Sequence, residues 1–405
     1  MAAQQDWLCS RLEQLVSIPS VSAAPDGRYI YGKACGAVLE RALSIGEELG
    51  FAGVNHAYRY GTLSYGEQES TIGLFSHLDV VPAGNGWEFP PFCLTRRGDY
   101  VIGRGVKDDK GPALAALLSM ACCRELALPL RHRLLLFMGC EEEQSMSDIR
   151  HYVANTPRLP VFSLIADGLF PVSYGEKGIL SVEIESDGQC PQLIAAQAGQ
   201  VGNVVADQAS VTFSQIDIDK ALAELSAKPV CATVENNTLR VSAQGKSTHA
   251  AKPEGSRNAI AVLAHALKDA SFLGDARRLW ENVSHMLGDY YGEGLGLACA
   301  DADSGRLTHI AGMMSCNAHT LRLNLNIRYP VHTDGEALVA RLRENLAARA
   351  FHIVQYQLNP PGYFDPTHPI IGKLSSLYKE YSAAPDAAPY TDVCATYARK
   401  LPAAV

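Results

Sequence analysis

The sequence predicts an α/β domain with a mostly parallel central sheet, interrupted by an inserted α+β domain. Three observations carry this. The 405 residues exceed what one hydrophobic core usually covers, so two domains are expected. Up to about residue 180, apolar strand-like runs alternate with helix-period segments, the pattern of βαβ units. Beyond that point strands with alternating polarity follow one another, then helices, which is α+β texture.

In chain order, DWLCSRLEQLVSIP and AVLERALSIGEELGF predict two helices, the second ended by Gly50. STIGLFSHL predicts a strand. GPALAALLSMACCRELAL predicts a helix that is apolar nearly all round and therefore buried. HRLLLFMGC, DIRHYVANT and VFSLIAD predict strand, helix and strand. GILSVEIES, ASVTFSQID and NTLRVSAQG read as strands of the inserted domain, followed by the helix SRNAIAVLAHALKDA, the strand TLRLNLNIRYPV and the helix DGEALVARLRENLAARA. A last helix is predicted over HPIIGKLSSLYKEYSAA. The domain expected to carry the chemistry spans residues 1–183 and 355–405, and the insertion spans 184–354.

Composition narrows the function. A net charge of −8 argues against nucleic acid or an anionic membrane surface as the main partner. No run of eighteen apolar residues occurs, so no membrane span is expected. The N-terminal helix is interrupted by acids and lacks a basic leader, so it does not read as a signal peptide. The eleven cysteines are odd in number, scattered and without a CxxC pair, as expected of free thiols in a reducing cytoplasm.

Acidic or histidine clusters stand where the predicted strands of the first domain end: His77 and Asp79 in SHLDV, Asp108 and Asp109 in GVKDDKG, Glu141, Glu142 and Glu143 in GCEEEQS, and Asp167 in IADGLF. In a parallel α/β sheet ligands bind outside the carboxyl ends of the strands. Taken singly, each cluster has an ordinary reading: a local hydrogen bond, acids at a helix start, a solvated face, a turn aspartate. Their joint occurrence in order favours a metal site. One histidine with several carboxylates suits a divalent ion such as zinc or manganese. A strand pair i, i+2 points to one face, so His77 would bind metal and Asp79 would orient it, with Pro82 ending the strand beside them.

The strings HLDVVPAGNGW, GRGVKDDKGP, CEEE and YGEKG resemble the ArgE/DapE/acylase/carnosinase family of dinuclear zinc hydrolases, and GEKG, NIRYP and TYAR resemble its PepV-type dipeptidase branch. The resemblance covers nearly the whole chain. It implies that the first domain is catalytic and the insertion a lid. It implies that His77 and Asp167 bind one metal, that Asp108 bridges two, and that Glu143 binds the second. Glu142 would be the general base acting on a metal-bridging water, and Asp79 the partner of His77. The register GCEEEQS is aligned so that Glu141 is the bystander. In the insertion, His249 of GKSTHAAKPEG would stabilise the oxyanion, Asn203 would contact substrate, and Arg328 of NIRYP would hold the substrate carboxylate. The cofactor implied is Zn2+, two per chain in the family, with Mn2+ as an alternative. The implied partners are a dipeptide or small N-acyl amino acid, without nucleic acid or membrane, in a monomer or homodimer.

Two departures qualify the resemblance. The chain stops at Val405, soon after TYAR, and the family's C-terminal histidine ligand is missing, so a C-terminal truncation is expected, with one tight metal and one weak or absent. Val393, Cys394 and Ala395 replace three glycines of the family, and Val393 would resist a positive φ. Three readings therefore stay open: a metal-dependent dipeptidase of full or impaired activity, an N-acyl amino acid deacylase, and an inactive truncated relic. NIRYP and the long lid favour the first, and the missing histidine favours the last.

Overall fold

The βαβ pattern of the N-terminal part folds as a five-stranded mixed sheet with helices against both faces. The structure, a computed structural model, describes residues 2–188, 190–382 and 384–405. These divide into two compact units, one from the described residues of Met1–Tyr174, Phe364–Pro389 and Ala395–Val405, the other from those of Gly175–Tyr363 and Tyr390–Cys394.

In the first unit the strands are β1 (Gly53–Asn55), β2 (Tyr60–Tyr65), β3 (Thr71–His77), β4 (Arg133–Gly139) and β5 (Phe162–Ile165), in the spatial order β1-β2-β4-β3-β5. β3, β4 and β5 run parallel, while β1 and β2 add an antiparallel edge. Register pairs His77 with Gly139 and Phe75 with Ile165, so the three parallel strands end side by side. Period-2 alternation sends Leu136 and Met138 to one face and Phe137 to the other. The first face packs on helices α1 (Ala2–Val16), α2 (Lys33–Glu48) and α3 (Lys110–Glu125), through residues such as Leu15, Leu39 and Leu117. The second packs on α4 (Ser147–Asn155), through Ile149 and Tyr152, and on Tyr397 and Leu401 near the C-terminus.

Two local features differ from the sequence reading. The strand carrying His77 stops at His77 itself, five residues before Pro82. The Leu78 N–H still bonds to Gly139, but the Val80 N–H turns away to the Ser20 carbonyl, and the ladder is left there. The proline follows a break already made. The β1–β2 hairpin was not anticipated, because its turn places Ala57 and Tyr58 at positive φ rather than the usual Asn-Gly pair. The Asn55 carboxamide, accepting from the Tyr58 N–H at 2.8 Å, helps hold that turn.

The second unit is built on an eight-stranded antiparallel sheet. Its strands are β6 (Gly178–Ser186), β7 (Leu193–Ala198), β8 (Gln208–Phe213), β9 (Cys231–Glu235), β10 (Thr238–Gln244), β11 (Thr308–Asn317), β12 (Thr320–Tyr329) and β13 (Phe351–Asn359), in the order β9-β10-β8-β7-β11-β12-β6-β13. Alternate residues Leu180, Val182 and Ile184 of β6 enter a core shared with Leu263, Trp280 and Leu342 from three helices. The eleven cysteines are free thiols. No helix among the described residues is long and apolar enough to cross a membrane.

Candidate metal centre

Because β3, β4 and β5 end together, the segments that leave them converge. His77, last in β3, is fully buried. Its Nδ1 lies 3.0 Å from the Asp79 carbonyl oxygen and 3.3 Å from Asp79 Oδ1. With Nδ1 donating to Asp79, the neutral ring presents the lone pair of Nε2 on its other side. That nitrogen lies 2.9 Å from Asp108 Oδ1 and 3.7 Å from Asp167 Oδ2, and is buried without a hydrogen bond. A lone pair facing carboxylate oxygens is repulsive unless a proton or a cation stands between them. Burial opposes a charge on this ring, but Asp108 and Asp79 outweigh it and hold the His77 pKa well above the usual imidazole value. A nitrogen with oxygen donors around it is a donor set that fits a borderline or hard divalent cation.

Two groups of candidate ligands share this histidine: His77 with Glu142 and Asp167, and His77 with Asp108 and Glu143, with ligand atoms within 4.8 Å of one another in each. The structure therefore brings His77, Asp108, Glu142, Glu143 and Asp167 together, and it sets Glu142 beside His77 and Asp167. Asp79 links the two halves. Its Oδ1 and Oδ2 accept the main-chain N–H groups of Glu142 and Glu143, each at 3.1 Å. Glu141 turns away, its carboxylate accepting from Ser145 and Ser147 at the start of α4.

Asp109 has a part that sequence reasoning assigned to helix capping. It stands at the N-cap of α3 but makes no capping bond. Instead its Oδ2 accepts the main-chain N–H of His77 at 3.0 Å, and its buried Oδ1 has no hydrogen bond. Next to it Lys110 is fully buried, its Nζ donating to the Leu15 and Ile18 carbonyls at 2.9 Å each, which ties the DDK segment to the end of α1. The second aspartate of DDK was visible in the sequence; the amide it serves was not.

Crowded, buried carboxylates hold protons. Burial, then Asp108, pushes the Glu143 pKa up to about 7, and burial, then Asp167, Asp79 and Glu143, raises Glu142 well above the usual value. A carboxyl whose pKa is raised on folding binds more protons folded than unfolded between the two values, so stability falls as pH rises through that window. His77, also raised, acts in the same direction. The chelator-treated protein is therefore expected to melt at lower temperature at pH 8 than at pH 5.5, Glu143 alone contributing on the order of 2 kcal/mol, and added zinc should reverse the trend, since it selects the deprotonated donors. Calorimetry across that range with and without metal checks this.

In the second unit, an isolated antiparallel bridge pairs Val204 with His249, and the Ala250 N–H donates to the Asn203 carbonyl at 2.8 Å, which places Asn203 and His249 on neighbouring segments. Burial, then the charge of Arg328, holds the His249 pKa below the usual imidazole value. Arg328, in β12, is buried rather than a surface charge. Its Nε donates to Asn326 Oδ1 at 2.9 Å and Nη1 to the Val393 carbonyl at 3.0 Å. Val393 and Cys394 avoid positive φ, and both donate their N–H groups to Asp392 Oδ1.

Comparison with known proteins agrees with this architecture. The chain is 28% identical to "Putative dipeptidase YtjP" of Bacillus subtilis, over 86% of this chain and 78% of that protein. Among solved structures it is similar to human carnosine dipeptidase 1 (TM-score 0.53, 15% identity, 97% of this chain and 85% of that one). It is also similar to the dipeptidase Dug1p of Saccharomyces cerevisiae (TM-score 0.51, 14% identity, 97% and 85%). Residues 73–405, which include every candidate ligand described above, match the profile of peptidase family M20/M25/M40, and the chain belongs to that family of metal-dependent peptidases.

Proposed function

We infer that the chain is a dipeptidase that uses one or two divalent ions, zinc or manganese, held by His77, Asp108, Asp167 and Glu143. The observation that carries this reading is the buried Nε2 of His77, 2.9 Å from Asp108 Oδ1 and 3.7 Å from Asp167 Oδ2, in two ligand-distance groups with Glu142 and Glu143. Similarity to dipeptidases supports the substrate class. When bound, the ions polarise the scissile carbonyl and lower the pKa of water. The protein's own groups do the rest. Asp79 keeps the His77 ring turned so that Nε2 faces the site. Glu142, whose buried Oε1 lacks a hydrogen bond and whose pKa is raised, takes a proton from the attacking water and delivers it to the leaving amine. The second unit serves as the lid, with His249 stabilising the oxyanion and Arg328 and Asn203 holding the substrate, the guanidinium at its free carboxylate. The eleven free thiols support a cytoplasmic location.

The two ligand groups share one imidazole, and one Nε2 lone pair serves one ion. Among the described residues the second ion would then rest on carboxylates alone, so one ion is expected to bind tightly and a second weakly. The test is metal stoichiometry on protein prepared without chelator and equilibrated with zinc or manganese, beside an assay on dipeptides and N-acetyl amino acids. Turnover of dipeptides that a chelator abolishes and metal restores is the expected result. Preferred cleavage of N-acetyl amino acids would make the protein a deacylase, and metal binding without turnover of either would overturn the reading.

A further inference from the structure

Four consecutive main-chain N–H groups, Cys140 to Glu143, donate to two buried carboxylates. Glu142 and Glu143 donate to Asp79, as described. Cys140 and Glu141 donate to Oδ2 of Asp148, at 2.8 and 2.9 Å. Asp148 lies in the first turn of α4 and is fully buried. Its Oδ1 serves its own helix, accepting the Ile149 N–H at 2.7 Å. Its Oδ2 leaves the helix for the segment after β4, where the Tyr397 hydroxyl also donates to it at 2.5 Å. Tyr397 is fixed in turn, fully buried and edge-on to Phe137 with ring centroids 5.6 Å apart. Room for this pair comes from Gly139, the last residue of β4: a Cβ there would collide with both the Tyr397 hydroxyl and Asp148 Oδ2.

We propose that Asp148 is a positioning residue for Glu142 and Glu143, and that Tyr397 holds Asp148 in place. The need is geometric. Glu142 stands within 4.8 Å of His77 and Asp167, and Glu143 within 4.8 Å of His77 and Asp108, and a segment that brings both there is best fixed by its main chain from behind. A buried carboxylate that accepts two adjacent amides fixes it without entering the site, as outer partners of metal ligands do. The TYAR string thereby gains a role through its tyrosine. The proposal rests on the reading of Glu142 as base and Glu143 as ligand.

The test uses the full chain with Asp148→Asn, which keeps the volume but removes the charge that gathers three donors, and Tyr397→Phe, which removes one hydroxyl. Manganese affinity is read by electron paramagnetic resonance of the free ion, kcat and KM on a dipeptide, and melting temperature on the metal-free protein. Asp148→Asn is expected to weaken manganese binding by about tenfold or more and to lower kcat by about thirtyfold, with KM within about threefold. Tyr397→Phe is expected to move both in the same direction by about threefold to tenfold, and it decides the matter if Asp148→Asn does not fold. Variants that melt earlier yet bind manganese and turn over as wild type does, at a temperature where both are folded, would overturn the proposal and leave Asp148 a purely structural acid. If the wild type hydrolyses no dipeptide, the functional reading fails, while the manganese affinities still decide the positioning role.

Discussion

Glu142→Gln is expected to lower kcat on dipeptides by about 10³-fold, with KM changed by less than about threefold, because glutamine keeps the shape of the base but accepts no proton. The same variant separates two roles that the geometry allows. Glu142 lies in the group with His77 and Asp167, where a carboxylate oxygen could ligate as well as take a proton. A base would be lost with metal content intact; a ligand would take the tight ion with it. Steady-state kinetics with metal analysis on the same preparation distinguishes them. The metal-free variant should also melt at higher temperature than wild type at pH 8, since a neutral amide escapes the burial penalty, and then the like charges, that raise the carboxyl's pKa.

The second large effect is expected from His77→Ala. The shared imidazole is the only nitrogen donor in either ligand group, so tight zinc binding should fall by more than about 10³-fold and activity to background. Stability should fall too. In the metal-free protein the fully buried ring pairs with the equally buried Asp79 carboxylate, and its loss leaves that carboxylate without the imidazole, while Asp108 stays largely exposed. Removing one partner from a buried ionic group costs about 3–5 kcal/mol. Competition with a zinc chelator and calorimetry of the metal-free protein check both parts. Unchanged zinc affinity would remove His77 from the site.

How far the sequence could be read depended on whether a signal was local. Asp108 reaches the site from the turn before α3, after a two-stranded hairpin (Thr95–Arg97 with Tyr100–Ile102) that lies outside the main sheet, whereas His77, Asp167 and the EEE run stand directly after strands of the parallel sheet, which gathers strand ends at one edge. The convergence of those segments was therefore legible from their order alone. Asp148 was not, because a lone aspartate one residue into a helix reads as a dipole-favoured acid, and its second oxygen serves amides of Cys140 and Glu141. Asp109 was hidden in the same way, as the bond it makes reaches back 32 residues. In the fold, the edge hairpin escaped because Ala57 and Tyr58 adopt a turn conformation that their side chains do not advertise. Pro82 misled for the opposite reason. It is a strong local signal, yet Ser20, distant in sequence, draws the Val80 amide off the ladder first.

The raised carboxyls of Glu142 and Glu143 beside His77 amount to an ion exchanger. Near neutral pH the metal-free site stores protons on groups such as Glu143, whose pKa stands at about 7. A divalent ion enters only by displacing them. Acidity and metal supply therefore act on one equilibrium: a fall in pH weakens metal binding while it stabilises the metal-free fold.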